Sequence, residues 1–286
     1  MEFLLLALSV LLSTGRNLSS KKISFTTFGQ RNFFLMQFII FLTGIVIVAF
    51  KGGNGLISVA PVTVLYAVIY MVFLLSANWC YTVALVNGNT SICVTIYSMG
   101  FIIPTLSGMM FWDEEVSLLK LIGIICVIPA VILSGIKKGG NRAEKGKGYF
   151  IPAVVAMLTS GGLGIMQKIQ QKSPYPDQFG TFVLIAFILG ALVSLLFFAF
   201  ARKGEKPLTK GNVGVACTIG VCWSLCNLLN TFLSGALPTA VFFPMLNIGT
   251  IFMSAFLGIV LYKERITLKT VAVVLLGILS ILLINL

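Results

Sequence analysis

Histidine is missing from this chain of 286 residues, and Asp and Glu together number only eight. All eight (Glu2, Asp113, Glu114, Glu115, Glu144, Asp177, Glu205, Glu264) fall at the ends of apolar stretches or between them. The first absence removes the usual metal ligand and general base. The second removes the buried carboxylate with which membrane proteins take up a proton or a cation. No enzyme, metal site or cofactor is expected on these grounds. Charge of either sign is scarce, at 10% of residues against about 25% in an ordinary soluble protein. The six cysteines (Cys80, Cys93, Cys126, Cys217, Cys222, Cys226) all lie in apolar runs, so no disulfide framework is expected. Cys222 and Cys226 share a helix face, but with no His and no acid nearby they read as small packing residues.

What the chain has instead is hydrophobic residues, 58% of the total. They gather into ten runs near 3–20, 33–50, 62–86, 90–112, 118–136, 149–170, 178–201, 213–236, 238–262 and 268–286. Runs of this length cross a hydrocarbon core of about 30 Å as helices. None alternates as a barrel strand does, so an all-α membrane protein of ten transmembrane helices is predicted. The first run starts Met1-Glu2-Phe3, with an acid where a signal peptide has Lys or Arg, and no small-x-small cleavage site follows. It is expected to be a true helix. With Lys120, Lys168 and Lys269, at the edges of their runs, counted with the connections, the only charge expected inside the ten runs is Arg16.

The net charge of +12 comes from connections rather than from a nucleic-acid surface. Fifteen of the 20 basic residues flank or fill the odd-numbered connections, among them Lys21, Lys22 and Arg31 in the first and five over 137–147 in the fifth. The even-numbered connections hold four: Lys51, Lys120, Lys168 and Lys172. The positive-inside rule places the odd connections in the cytoplasm and both termini outside. Membrane lipids are the expected partners of the basic loops, nucleic acid is not a partner, and the expected location is the cytoplasmic (inner) cell membrane.

The sequence repeats itself at an offset of 150 residues. Phe111-Trp112-Asp113-Glu114 falls on Leu261-Tyr262-Lys263-Glu264, Ser117-Leu118 on Thr267-Leu268, Gly108 on Gly258, and Asn87-Gly88 on Leu237-Pro238. Five helices per half is an odd number, so the second half enters the membrane the other way up. The predicted organisation is a first repeat over 1–136, a basic linker over 137–148 and an inverted repeat over 149–286. A fused pair makes a monomer sufficient.

Several motifs give the layout a family likeness. A small-residue break, Ser13-Thr14-Gly15-Arg16-Asn17, in run one is answered by Thr159-Ser160-Gly161-Gly162 in run six. Tyr81-Thr82-Val83-Ala84-Leu85 closes run three, Pro104 sits within run four, and Glu114 and Glu264 each stand three residues before Ser117 and Thr267. In these features the chain resembles the ten-helix, EamA-type members of the drug/metabolite transporter superfamily. The resemblance implies a central cavity lined by helices one, three and four with six, eight and nine, braced by five and ten. It also implies cytoplasmic termini, against the charge count, and an uncharged residue where Arg16 stands.

Candidate solute-binding residues follow. Arg16 lies about twelve residues into helix one and offers a rigid fork to a carboxylate or phosphate, though snorkelling toward Lys21 and Lys22 is the competing reading. Asn17 adjoins it. Asn78 and Tyr81 on helix three align with the Trp223, Asn227 and Asn230 region of helix eight, and Tyr97 on helix four aligns with Asn247 on helix nine. Amides and phenols over aromatic rings suit a solute with hydrogen-bonding groups; interhelical hydrogen bonding is the alternative. Gln37 and Gln167 are weaker candidates. Pro104, Pro129 and Pro244 are expected to kink their helices, and Glu114 and Glu264 to stabilise the N-termini of helices five and ten. The expected function is secondary transport of a small neutral or anionic metabolite, an amino acid or organic acid, by alternating access as uniport or exchange. The alternative is a flippase or scramblase for anionic lipid head groups.

Overall fold

The computed structural model describes residues 1–22, 29–87, 93, 96–135, 147–201, 209–262 and 268–285. Among them are ten α-helices and no strand. They are α1 (Glu2–Lys22), α2 (Gly29–Gly52), α3 (Pro61–Asn87), α4 (Ile102–Phe111), α5 (Leu118–Gly135), α6 (Phe150–Lys172), α7 (Phe179–Phe200), α8 (Lys210–Ala236), α9 (Thr239–Tyr262) and α10 (Leu268–Asn285). Five stretches are long and apolar enough to cross a membrane: Gly29–Lys51, Pro61–Leu85, Phe150–Lys172, Pro176–Phe200 and Lys210–Ala236. Large apolar side chains lie bare on them, including Leu42, Val46 and Phe50 on α2 and Leu192, Leu196 and Phe200 on α7. A surface of that kind is stable against lipid, not water, so the chain is read as a membrane protein.

The polar breaks expected in helices one and six are not breaks, since α1 and α6 run continuously through them. The small residues of α6 serve close packing instead. A Cβ on Gly161 would stand 2.8 Å from the Gly100 carbonyl, and a Cβ on Gly100 would stand 2.8 Å from the Met157 carbonyl. Residues 96–98 are helical, Met99–Phe101 form a 3₁₀ turn and α4 follows without a break, so Pro104, with no N–H to give the Gly100 carbonyl, stands just past the tightened turn.

The helices sort into two compact units, each drawn from both halves of the sequence. One comprises Met1–Thr14, Ser76–Ile165 and Ala236–Leu286; the other comprises Gly15–Leu75 and Met166–Gly235. In the first unit α5 packs along α10, where Gly123 lets Ile284 approach and the Ser280 hydroxyl donates to the Gly123 carbonyl at 2.7 Å. Also in this unit α4 packs on α9, and Asn247 donates from Nδ2 to the Ser98 carbonyl at 3.0 Å. In the second unit α2 packs along α7, with the Phe41 ring against Gly190. Small residues at such contacts are what membrane helices use to come close.

Two helix starts are capped from far away in sequence. Glu114 was expected to serve helix five. Its Oε2 accepts from the Thr239 amide at 2.7 Å, the Thr239 hydroxyl at 2.6 Å and the Ala240 amide at 3.3 Å, all at the start of α9. The expected charge–dipole logic holds but acts on a different helix. Asp113, with φ of 48°, makes the turn that delivers the carboxylate, and Gly108 leaves the room for it. At α5 the cap is Ser117, whose Oγ accepts from the Lys120 amide at 3.3 Å. Glu264 lies outside the described residues. In the second unit, Gln178 accepts from the Ala60 amide at 3.1 Å and the Thr63 hydroxyl at 2.8 Å, at the start of α3, and donates to the Ser58 carbonyl.

Candidate functional site

The unit formed by Gly15–Leu75 and Met166–Gly235 holds a cation on an aromatic floor. The Arg16 guanidinium carbon lies 4.6 Å from the centroid of the Trp223 ring. Trp223 is itself buried, and its ring meets Phe41 at 5.5 Å and Phe187 at 5.8 Å. Phe41 and Phe187 meet each other at 5.4 Å and complete the box. At Gly15 α1 comes within ordinary van der Waals range of Cys222 on α8, where a Cβ would stand 3.5 Å from the sulfur. Arg16 is half-buried, with its guanidinium on the buried Trp223 ring. A guanidinium over indole gains about 0.5–2 kcal/mol while keeping its charge.

A hydrogen-bonded triad lies in the same unit. The Tyr70 hydroxyl donates to Asn227 Oδ1, and Gln167 Nε2 donates to the Tyr70 oxygen at 2.9 Å. Asn227 Nδ2 donates to the Trp223 carbonyl at 2.7 Å. Tyr70 is fully buried, with its ring 4.8 Å from Phe182. Asn227, a candidate for solute contact, is thus engaged in tying α3, α6 and α8 together. Asn230 donates to Cys226 Sγ at 3.5 Å, and Asn17 is exposed on α1.

Sequence reasoning passed over two members of this unit. Tyr70 had a signal, a phenol in an apolar run, but its partners are 97 and 157 residues away. Lys168 was placed in a connection. The structure corrects this: α6 continues to Lys172, and Lys168 is only 2% exposed within it. Arg16 is therefore not the only charge inside the helices. Ionisable residues inside apolar helices are rare because burying the charge is costly.

The remaining candidates lie in the other unit. Tyr81 on α3 stacks obliquely on Tyr97, ring centroids 4.4 Å apart. Asn247 reaches the Ser98 carbonyl, one residue from Tyr97, and Asn78 is half-buried one turn before the Tyr81–Tyr97 pair. The predicted set therefore divides as Arg16, Asn17, Trp223, Asn227 and Asn230 in one unit and Asn78, Tyr81, Tyr97 and Asn247 in the other. Among the described residues no group of three or more Cys, Asp and Glu side chains could hold a metal ion.

No family model matches the chain, and no curated protein matches it. Solved structures do. One protein known from its crystal structure superposes on 99% of this chain and 95% of its own with a TM-score of 0.75, at 13% sequence identity. At that identity the likeness is one of fold: the helical architecture described above is one that solved proteins share.

Proposed function

We propose that the chain is a secondary transporter of a small neutral or anionic metabolite, of the amino acid or organic acid class, and that it belongs with the EamA-type drug/metabolite transporters it resembles. Arg16 on the Trp223 ring is the observation that carries this reading. A rigid, permanently charged fork held against an apolar wall is suited to a carboxylate. The charge inventory agrees with it. Among the described residues no Asp or Glu is fully buried, the half-buried Glu114 being held at the start of α9, whereas Lys168 is buried. A proton-for-cation antiporter would need the opposite balance, so uniport or exchange is the fitting mode.

Alternating access between two inverted five-helix halves is the proposed mechanism. Its support is the pairing of helices at the 150-residue offset: α2 with α7, α4 with α9 and α5 with α10. Each joins a helix to its own counterpart, as a pseudo-two-fold axis requires. The divisions of α1 and α6 between the units, at 14/15 and 165/166, differ by that same offset to within one residue. Two similar halves with nearly equal packing can exchange conformations, and the solute site is presented to each side in turn.

The test is thermal stability of purified wild type and Arg16→Gln against amino acids, organic acids and quaternary cations, followed by counterflow in proteoliposomes. A solute at 100 times its Kd adds about 2.7 kcal/mol of stability. Anionic solutes are expected to stabilise wild type, with the gain lost in Arg16→Gln and with counterflow of the same solute. Equal stabilisation of both proteins by cations, or activity that follows lipid rather than soluble solute, overturns the reading.

A further inference from the structure

The α2–α7 pair presents two stripes that face each other in antiparallel register. Phe41 lies against Gly190, where an added Cβ would stand 2.8 Å from the ring. Phe34 stacks on Phe197, centroids 5.1 Å apart and planes 24° apart. On α2 the residue between Phe34 and Phe41 on that face is Gln37; on α7 the residue between Gly190 and Phe197 is Ser194. The two flanking contacts therefore set Gln37 opposite Ser194. Gln37 is 5% exposed and Ser194 fully buried. Gln37 Oε1 accepts no hydrogen bond, and Ser194 Oγ makes none.

An amide oxygen and a hydroxyl left without partners in an apolar ladder are costly, because each has given up its hydrogen bonds to water. Neither atom is the hydrogen-bond partner of the other. We propose that a water molecule is bound between Gln37 Oε1 and Ser194 Oγ, bridging α2 and α7. Its chemistry is complementary to both. It donates to the amide oxygen, which can only accept, and accepts from the serine hydroxyl; its second proton is available to the Gly190 carbonyl one turn back, since a helical carbonyl keeps a free lone pair. A cation is the poorer occupant, because it would need several more oxygens and a counter-charge in a layer otherwise built of phenylalanine rings.

Radiolytic hydroxyl labelling in water enriched in oxygen-18 tests this on the unmodified protein. Phe41 is fully buried, out of reach of bulk radicals, so oxygen-18 on its ring reports an internal water one turn away. A stability cycle accompanies it. Gln37→Met and Ser194→Ala are each expected to lower Tm by about 2–4 °C, and the double variant, with nothing polar left to satisfy, is expected to recover most of that loss. Two results overturn the proposal: Tm gains in both single variants that add in the double, which would mean two unsolvated groups, or an unlabelled Phe41, which would mean a direct Gln37–Ser194 bond.

Discussion

Tyr70 accepts from Gln167 and donates to Asn227, so one hydroxyl serves three helices. Removing that hydroxyl leaves an amide oxygen and an amide donor without their partner. Tyr70→Phe is therefore expected to cost about 1–3 kcal/mol, read as a fall in Tm, while Asn227→Ala in the Tyr70→Phe background costs less than it does alone. Equal costs in both backgrounds would show that the two residues act independently. At this scale the sequence was partly legible. Arg16 and Trp223 stood out, because a charge and an indole are rare in apolar runs. That Asn227 is occupied by Tyr70 was not legible, since an amide pointing at a neighbouring helix and one pointing at a solute look alike in sequence. Lys168 was misplaced for a related reason. A lysine four residues from a helix end reads as an interfacial anchor, and only the packing around α6 reveals that it is covered.

Helices α3 and α9 begin with caps supplied by side chains 115 and 125 residues distant. Local capping signatures are sought within four residues of a helix start, so neither Gln178 nor Glu114 could be assigned to its helix from the chain alone. Nine of the ten apolar runs coincide with described helices whose ends are displaced by a few residues, whereas the fourth, 90–112, holds α4 only over Ile102–Phe111. The continuity of α1 and α6 through Gly15 and Gly161 was not legible, because a cluster of small residues serves unwinding and close packing equally well. Glu114→Gln keeps an acceptor but removes the charge facing the start of α9. The expected loss is about 0.5–2 kcal/mol, measured by denaturation in detergent, and Gly108→Ala should exceed it. Its Cβ would collide with the Thr239 hydroxyl and crowd the Glu114 carboxylate, an overpacking worth about 1–3 kcal/mol. A Gly108→Ala variant as stable as wild type would mean that the cap has room to move.

For the whole molecule, the 150-residue offset was visible in punctuation and hydropathy, but which helices touch was not, because periodicity within a run gives a face and not a partner. The structure packs α2 on α7, α4 on α9 and α5 on α10. A chain severed within residues 137–146 and expressed as two fragments should consequently reassemble, with the fragments copurifying, whereas either fragment alone should fail to accumulate. Stable accumulation of a lone fragment would contradict this. The same pairing sets the timing of assembly. From the end of α2 to the end of α7 a ribosome must add the residues from 53 to 200, and at roughly 5–20 residues per second this takes on the order of 10–30 s. The wait from α5 to α10 is equally long. Through that interval the first-made helices stand in the bilayer with their packing faces turned to lipid, so insertion is complete well before the native neighbours exist.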